Sequence, residues 1–234
     1  TASRPASPTE GMIYFDSDTD SLLTYANGKW QSDRGEFVVV AASDSSQAEK
    51  DSADYVADGT ADQTEINSAL TAGAGGKVIL LAGTYVADAT ILIPNNTTLA
   101  GTGRGTLIQL ADIDATDNLI ENSDTTTGTG VVIRDIRLDG QDTLNTAGTQ
   151  RGIELNGMGN GNGSGSRQGG QIINVYVNEF RSTGLYITDS SNNIINGNSF
   201  VGNTSGVVLV GDSQNNTINS NISTGNSQMG IEIW

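Results

Sequence analysis

A short motif recurs through the C-terminal part of the chain: a glycine, then an apolar, a variable and an apolar residue. The variable position is occupied in turn by Glu154, Tyr186, Val208 and Glu232. On a β-strand, such a residue faces away from the two apolar ones. A carboxylate there can act on a glycosidic bond if a second one lies nearby, and a tyrosine ring can contact a sugar. The motif therefore indicates contact with a carbohydrate.

The catalytic candidates are Glu154, Asp139 and Glu179. A glycosidase needs two carboxylates that lie roughly 5 to 9.5 Å apart. If successive motifs stack, Glu154 and Glu232 are separated by three strand spacings, about 14 Å, which is too far. Pairs of Glu154 with Asp139 or with Glu179 stay open, because the sequence does not fix the positions of the loops.

Binding without catalysis asks less of the sequence. Tyr186 offers a flat face for a sugar ring, and Arg151, Glu154 and Arg181 offer hydrogen bonds around it. Two insertions, residues 139–151 and 156–170, flank the strand that carries Glu154. Insertions of this kind in a repeat protein tend to mark the binding face. We therefore expect a groove along this strand, with two tolerated surface loops as the open alternative.

The elements that position these residues are predicted by a repeat over residues 171–234. Its copies align Ile173 with Ile195 and Ile218, at spacings of 22 and 23 residues. The period-two alternation predicts short strands, and the polar connections are too short to hold a helix. Successive copies must therefore coil and stack in parallel, with an apolar core and with ladders of asparagine side chains at the corners.

This pattern resembles the right-handed parallel β-helix of the pectate lyase-like superfamily, and its NosD-type repeats in particular. The runs DGTADQTEINSAL, GGKVILLAGTY and ILIPNNTTLAGTG are similar to the N-terminal cap and first turns of that superfamily, which includes virion tailspikes and mannuronan epimerases. The resemblance implies an all-β solenoid. It does not supply a catalytic set, because the histidines of the polygalacturonase and epimerase motifs are absent from a chain without histidine.

The sequence divides into three parts. Residues 1–36 are predicted to form a small β-hairpin module, similar to one found in phage tail-fibre proteins. Residues 37–60 are predicted to be a strand and a polar connector, and residues 61–234 a capping helix and the β-helix. Asp62 to Glu65 predicts a capping box at the start of that helix. The Asp16-x-Asp18-x-Asp20 triplet departs from the calcium-loop motif at its glycine and its last glutamate, so we expect a polar turn and no metal.

Composition limits the partners. The net charge of −16, with only 11 basic residues, disfavours nucleic acid and anionic membrane surfaces. Strongly anionic polysaccharides are disfavoured too, unless Ca²⁺ mediates, and no other cofactor is expected. The start at Thr1 and the end inside a strand at Trp234 lead us to expect a piece of a longer polypeptide.

Together these features predict a bacteriophage tail-associated protein of the tailspike or tail-fibre type. We expect it in the virion, facing outward and binding a host-surface polysaccharide through a groove on the β-helix. The resemblance also implies a homotrimer. The alternative is a lyase, glycoside hydrolase or epimerase of the same superfamily, and a purely structural spacer is a third possibility.

Overall fold

The computed structural model describes residues 5, 7–16, 21–26, 29–32, 37–111, 118–159 and 168–234. For residues 16, 21–23, 26 and 29–32 it describes the backbone alone. The chain divides into two compact units, Thr1–Phe37 and Val38–Trp234.

The first unit contains a three-stranded antiparallel sheet. Its strands are β1 (Ile13–Asp16), β2 (Ser21–Ala26) and β3 (Lys29–Ser32), and β2 lies in the middle. This is the small hairpin module that the sequence predicted, with its third strand. Asp18 and Asp20 of the acidic triplet lie outside the described residues.

The second unit is built from three sheets. Sheet A contains, in spatial order, β5 (Tyr55–Val56), β4 (Phe37–Ala41), β6 (Lys77–Leu80), β9 (Thr98–Ala100), β12 (Val132–Arg134), β15 (Gln171–Ile173), β18 (Ile194–Asn196) and β21 (Thr217–Asn219). Sheet B contains β7 (Gly83–Ala87), β10 (Thr106–Leu110), β13 (Arg137–Asp139), β16 (Tyr176–Asn178), β19 (Ser199–Val201) and β22 (Ile222–Thr224). Sheet C contains β8 (Ile91–Ile93), β11 (Ile120–Asn122), β14 (Ile153–Asn156), β17 (Thr183–Thr188), β20 (Ser205–Val210) and β23 (Ile231–Ile233).

Each turn of the coil passes through the three sheets in order, and each strand pairs in parallel with its counterpart one turn later. We call one such turn a rung. The rung made by β15, β16 and β17, for example, is followed by β18, β19 and β20. Apolar residues at alternate strand positions fill the space between the sheets and form one continuous core, which runs from Val40 to Leu209. The second unit is a parallel β-helix, as predicted.

The register of the last rungs differs by one residue from the alignment read in the sequence. Ile172, not Ile173, pairs with Ile195, and Ile195 pairs with Ile218. Ile172 is fully buried, whereas Ile173 lies in register with Asn196 on the outer face. The shared letters Ile-Ile-Asn suggested a 22-residue spacing, but the structure keeps 23 residues because the core position must stay above the core position.

A capping helix covers the first rung, as predicted. Helix α2 (Gln63–Ala72) buries Ile66, Ala69 and Leu70 against the core. Its Asn67 side chain accepts a hydrogen bond from Leu92 N and donates one to Thr90 O, at 2.9 and 3.0 Å. These bonds satisfy backbone groups at the start of sheet C that would otherwise be an open edge.

The predicted capping box at Asp62 is wrong. Asp62 has helical backbone angles and makes no side-chain cap; its buried carboxylate accepts hydrogen bonds from Gly59 N and Val86 N instead. A capping box does occur earlier, where Ser46 and Glu49 begin helix α1 (Gln47–Ser52). The segment predicted as a polar connector therefore contains α1 and the short strand β5.

Stacked asparagines close the backbone at the corners of the last rungs. Asn193, Asn198 and Asn203 are almost completely buried, and each lies one rung before Asn216, Asn221 or Asn226. The Asn198 Oδ1 atom accepts from Val175 N at 2.9 Å, and its Nδ2 atom donates to Ile172 O at 2.8 Å. The side chains thus supply the hydrogen bonds that the turning backbone cannot make with itself.

We expect Asn198→Ala to lower the free energy of unfolding by about 3 kcal/mol, because it leaves buried backbone groups unpaired. Asn221→Ala, one rung later and partly exposed, should cost only about 1 kcal/mol. Urea denaturation of both variants measures the difference. Equal losses would contradict this account of the ladder.

Candidate functional site

The outer face of sheet C carries the candidate site. In register along this face lie Leu92, Glu121, Glu154, Tyr186, Val208 and Glu232. The last four follow the predicted order, but Glu121 was not anticipated. Its strand β11 lacks the glycine of the motif, and the alternation of Leu119 with Glu121 was the only signal that could have revealed it.

Asn118 joins the two glutamates. Its Nδ2 atom donates to Glu121 Oε1 and to Glu154 Oε2, each at 2.7 Å. Its Oδ1 atom accepts from Arg151 N at 3.2 Å, which ties the side chain to the start of β14. The two carboxylate oxygens can therefore be no more than twice 2.7 Å apart.

Arg151 lies across two rungs. Its guanidinium forms an ion pair with Glu154 and stacks over the Tyr186 ring, 3.6 Å from the ring centroid. The Arg151 Nε atom is buried and has no hydrogen-bond partner among the described residues. Because the guanidinium covers one face of Tyr186, that face is closed to a sugar ring. We call Asn118, Glu121, Arg151, Glu154 and Tyr186 the sheet C patch.

Arg181 is not in this patch. It lies in the turn between β16 and β17, where it lines an open cleft of about 180 Å³. No described hydrogen bond or ion pair connects its side chain to the sheet C patch. Two of the predicted sugar-binding arginines therefore occupy different places, one on the strand face and one at the corner.

Asp139 and Glu179 also lie away from Glu154. Asp139 ends β13 in sheet B and forms an ion pair with Arg137 at 2.7 Å. Burial raises the pKa of the Glu179 carboxyl, and the neighbouring charges of Asp139 and Asp142 raise it further. These acids share one electrostatic environment at the edge of sheet B. The carboxylate that the structure brings to Glu154 is Glu121, rather than either predicted partner.

A second aromatic group lies on sheet B. The Tyr176 ring has the Arg104 guanidinium 4.3 Å from its centroid and the Arg137 guanidinium 5.8 Å from it. Arg137 also donates to Asn178 Oδ1 at 3.2 Å. Both arginines pack along the sheet and shield the ring, so we assign this group to packing of the outer face.

The sheet C patch can bind hydroxyl groups from two rungs at once. A carboxylate has about four acceptor positions, and the donors of Asn118 and Arg151 use only some of those on Glu121 and Glu154. The oxygen separation also agrees with the roughly 5 to 5.5 Å between the carboxyl groups of retaining glycosidases. Within the described ranges, no group of three or more acidic residues could hold a metal ion. No described helix has the length and apolar character to cross a membrane.

No protein-family model matches this chain, and no curated protein matches it significantly. Two solved structures are similar to it. One is the A-module of the mannuronan C-5 epimerase AlgE4 of Azotobacter vinelandii, at 23% identity and a TM-score of 0.54, covering 74% of this chain and 56% of that one. The other is the ORF18 protein of Geobacillus virus E2, at 20% identity and a TM-score of 0.55, covering 95% of this chain and 50% of that one.

The three chains share the parallel β-helix. Identities of 23% and 20% establish this likeness of fold and leave function to be argued from the site. The chain spans about half the length of each of these two solved structures.

We expect Glu179→Gln to raise the melting temperature slightly at neutral pH and by less in acid. The raised pKa means that the folded protein binds this proton more tightly than the unfolded one. Stability is therefore lost as pH rises from the ordinary glutamate pKa through the raised value, and glutamine removes that loss. Thermal melts at acidic and neutral pH measure the difference; an equal change at both would contradict the prediction.

Proposed function

We propose that this protein is a bacteriophage tail-associated β-helix that binds a host-surface glycan through the sheet C patch. The observation that carries the proposal is the joining of Glu121, Glu154 and Arg151 by one asparagine on adjacent rungs. Such a cluster offers fixed acceptors and donors to a polymer that lies across the rungs. The likeness in fold to a phage protein and to an epimerase that acts on a polysaccharide supports this choice.

The charge of the patch favours a neutral or weakly charged glycan. Glu154 is neutralised by Arg151, whereas Glu121 contacts only the amide of Asn118. An anionic polymer would meet this unpaired carboxylate and a chain of net charge −16. Sugar hydroxyls, in contrast, can donate to the carboxylates at little electrostatic cost.

The second candidate function is hydrolysis of the bound glycan. It is favoured by the short separation between Glu121 and Glu154, since one carboxylate could attack the anomeric carbon while the other protonates the leaving oxygen. That geometry belongs to a retaining mechanism. Binding and hydrolysis use the same patch, so one experiment can separate them.

We expect Arg151→Ala and Glu154→Ala to weaken retention on the recognised polysaccharide about tenfold, because each removes charge-assisted hydrogen bonds. The measurement is incubation with a panel of capsular, teichoic and cell-wall polysaccharides, with and without Ca²⁺. Arg134→Ala is the matched control, since Arg134 is an exposed arginine on sheet A with its own ion pair to Asp135.

Retention of the polymer without shortening supports binding. Shortening that is lost in Glu121→Gln and Glu154→Gln would replace binding by hydrolysis as the function. If the wild type neither retains nor shortens any polymer in the panel, the proposed function is wrong and the spacer role is preferred.

We also propose that the protein assembles as a homotrimer, as its resemblance to tail proteins implies. Apolar side chains exposed on the last rung, including Ile231, Ile233 and Trp234, would be protected in an assembly. Analytical ultracentrifugation should give three times the chain mass. A single species of the monomer mass at high concentration would contradict it.

A further inference from the structure

The corner between sheets B and C has an unusual column of backbone positions. Glu179, Gly202 and Gly225 follow β16, β19 and β22 on successive rungs and have positive φ angles of 58°, 69° and 67°. The Glu179 N–H donates to Val201 O, and the Gly202 N–H donates to Thr224 O, so the three turns stack in parallel. The first position carries a side chain and the next two carry none.

The missing side chains leave open space rather than a close backbone contact. A Cβ atom on Gly202 would meet nothing nearer than Glu179 Cγ at 3.9 Å, and one on Gly225 would meet nothing nearer than Gly202 N at 3.6 Å. By comparison, a Cβ atom on Gly206 of β20 would lie 2.1 Å from the Ser223 hydroxyl oxygen. The corner glycines therefore form the floor of a cleft, whereas glycines on sheet C are required by packing.

Polar groups with unused hydrogen-bonding capacity surround this floor. The cleft, of about 180 Å³, is lined by Asp142, Arg181, Thr204 and Ser227 around the two glycines. Within the part of the chain that the structure describes, the side chains of Asp142, Arg181 and Ser227 make no hydrogen bond or ion pair. The cleft thus presents an acceptor, a planar set of donors and a hydroxyl to one small concave space.

We propose that this corner cleft is a second glycan subsite, which binds one neutral sugar ring of the polymer held by the sheet C patch. The proposal rests on the proposed function and deepens it. A ring with several hydroxyls matches the mixed donors and acceptors, whereas the acidic Asp142 and the nearby Glu179 disfavour an anionic sugar. A small rigid ring can occupy the concave space that the glycines leave.

The cleft and the sheet C patch are connected along the chain. The Ser182 N–H, next to Arg181, donates to the carbonyl of Gln150, which precedes Arg151. From Arg181 the chain runs into β17 and reaches Tyr186 five residues later, roughly 16 Å at about 3.3 Å per residue. A glycan of a few units can therefore reach from the corner to the strand face.

The direct test is a ¹⁵N NMR titration of the protein with two neutral sugars, methyl α-glucopyranoside and N-acetylglucosamine. We expect the amides of Gly225 and Ser227 to shift in the wild type with at least one of them. The matched pair of variants is Gly202→Asn and Gly197→Asn. Both positions have φ of 69° and lie on one rung, but Gly197 faces open solvent away from the cleft.

Asparagine tolerates a positive φ, so both variants should fold. In Gly202→Asn the new side chain fills the cleft, and we expect the sugar affinity to fall about tenfold or more. Gly197→Asn should bind as the wild type does, and melting curves of the two variants check that they fold equally well. Arg181→Ala should weaken binding about tenfold without altering the fold.

The outcomes separate this inference from the proposed function. If neither sugar shifts these amides in the wild type, or if Gly202→Asn titrates as the wild type does, the subsite is wrong whatever the polysaccharide panel shows. If the cleft amides shift but no polymer is retained by the sheet C patch, the subsite stands as a sugar site and the proposed function fails. Shifts in Glu154→Ala equal to those of the wild type show that the two places bind separately.

Discussion

The constraint on which the structure depends is the stacking of each rung directly on the one before it. Parallel strands lie about 4.8 Å apart, so every residue stands above its counterpart from the previous turn. At the corners the backbone turns away from the strands, and the side chains of Asn193, Asn198 and Asn203 supply the missing hydrogen bonds. Core and corner positions are therefore tightly restricted. The outer positions are free to carry function.

This constraint explains how much of the fold could be predicted. Alternation and a period near 23 residues required a parallel coil, whatever the remaining residues were. The period alone did not fix the register: the pair Ile172 and Ile173 fits the core equally well by type, and only stacking on Ile195 selects the first. The misplaced capping box has a similar cause. Asp62 matches the motif, but its carboxylate is used by Gly59 N and Val86 N, a contact distant in sequence.

The candidate site was predictable where it lies on strands and unpredictable where it lies on turns. Glu154 and Tyr186 share a strand position, so their neighbourhood followed from the motif. Glu121 occupies the same column, but the turn before β11 differs from the later ones and hid the match. Arg181 and Glu179 belong to corners, and the direction of a corner side chain depends on a local φ angle that the pattern does not encode. Loops of unequal length thus separate residues that the sequence seemed to group.

The patch and the cleft differ in how their polar groups are used, and this difference has a physical consequence. In the sheet C patch, Arg151 is held by Glu154 and Tyr186, so it is ordered before any ligand arrives and loses little side-chain freedom on binding. In the cleft, the exposed side chain of Arg181 has no such partner and must be ordered by the ligand itself. The patch is therefore suited to affinity. The cleft is suited to discrimination, since only a sugar that fills the space above Gly202 and Gly225 can offset the cost of ordering Arg181.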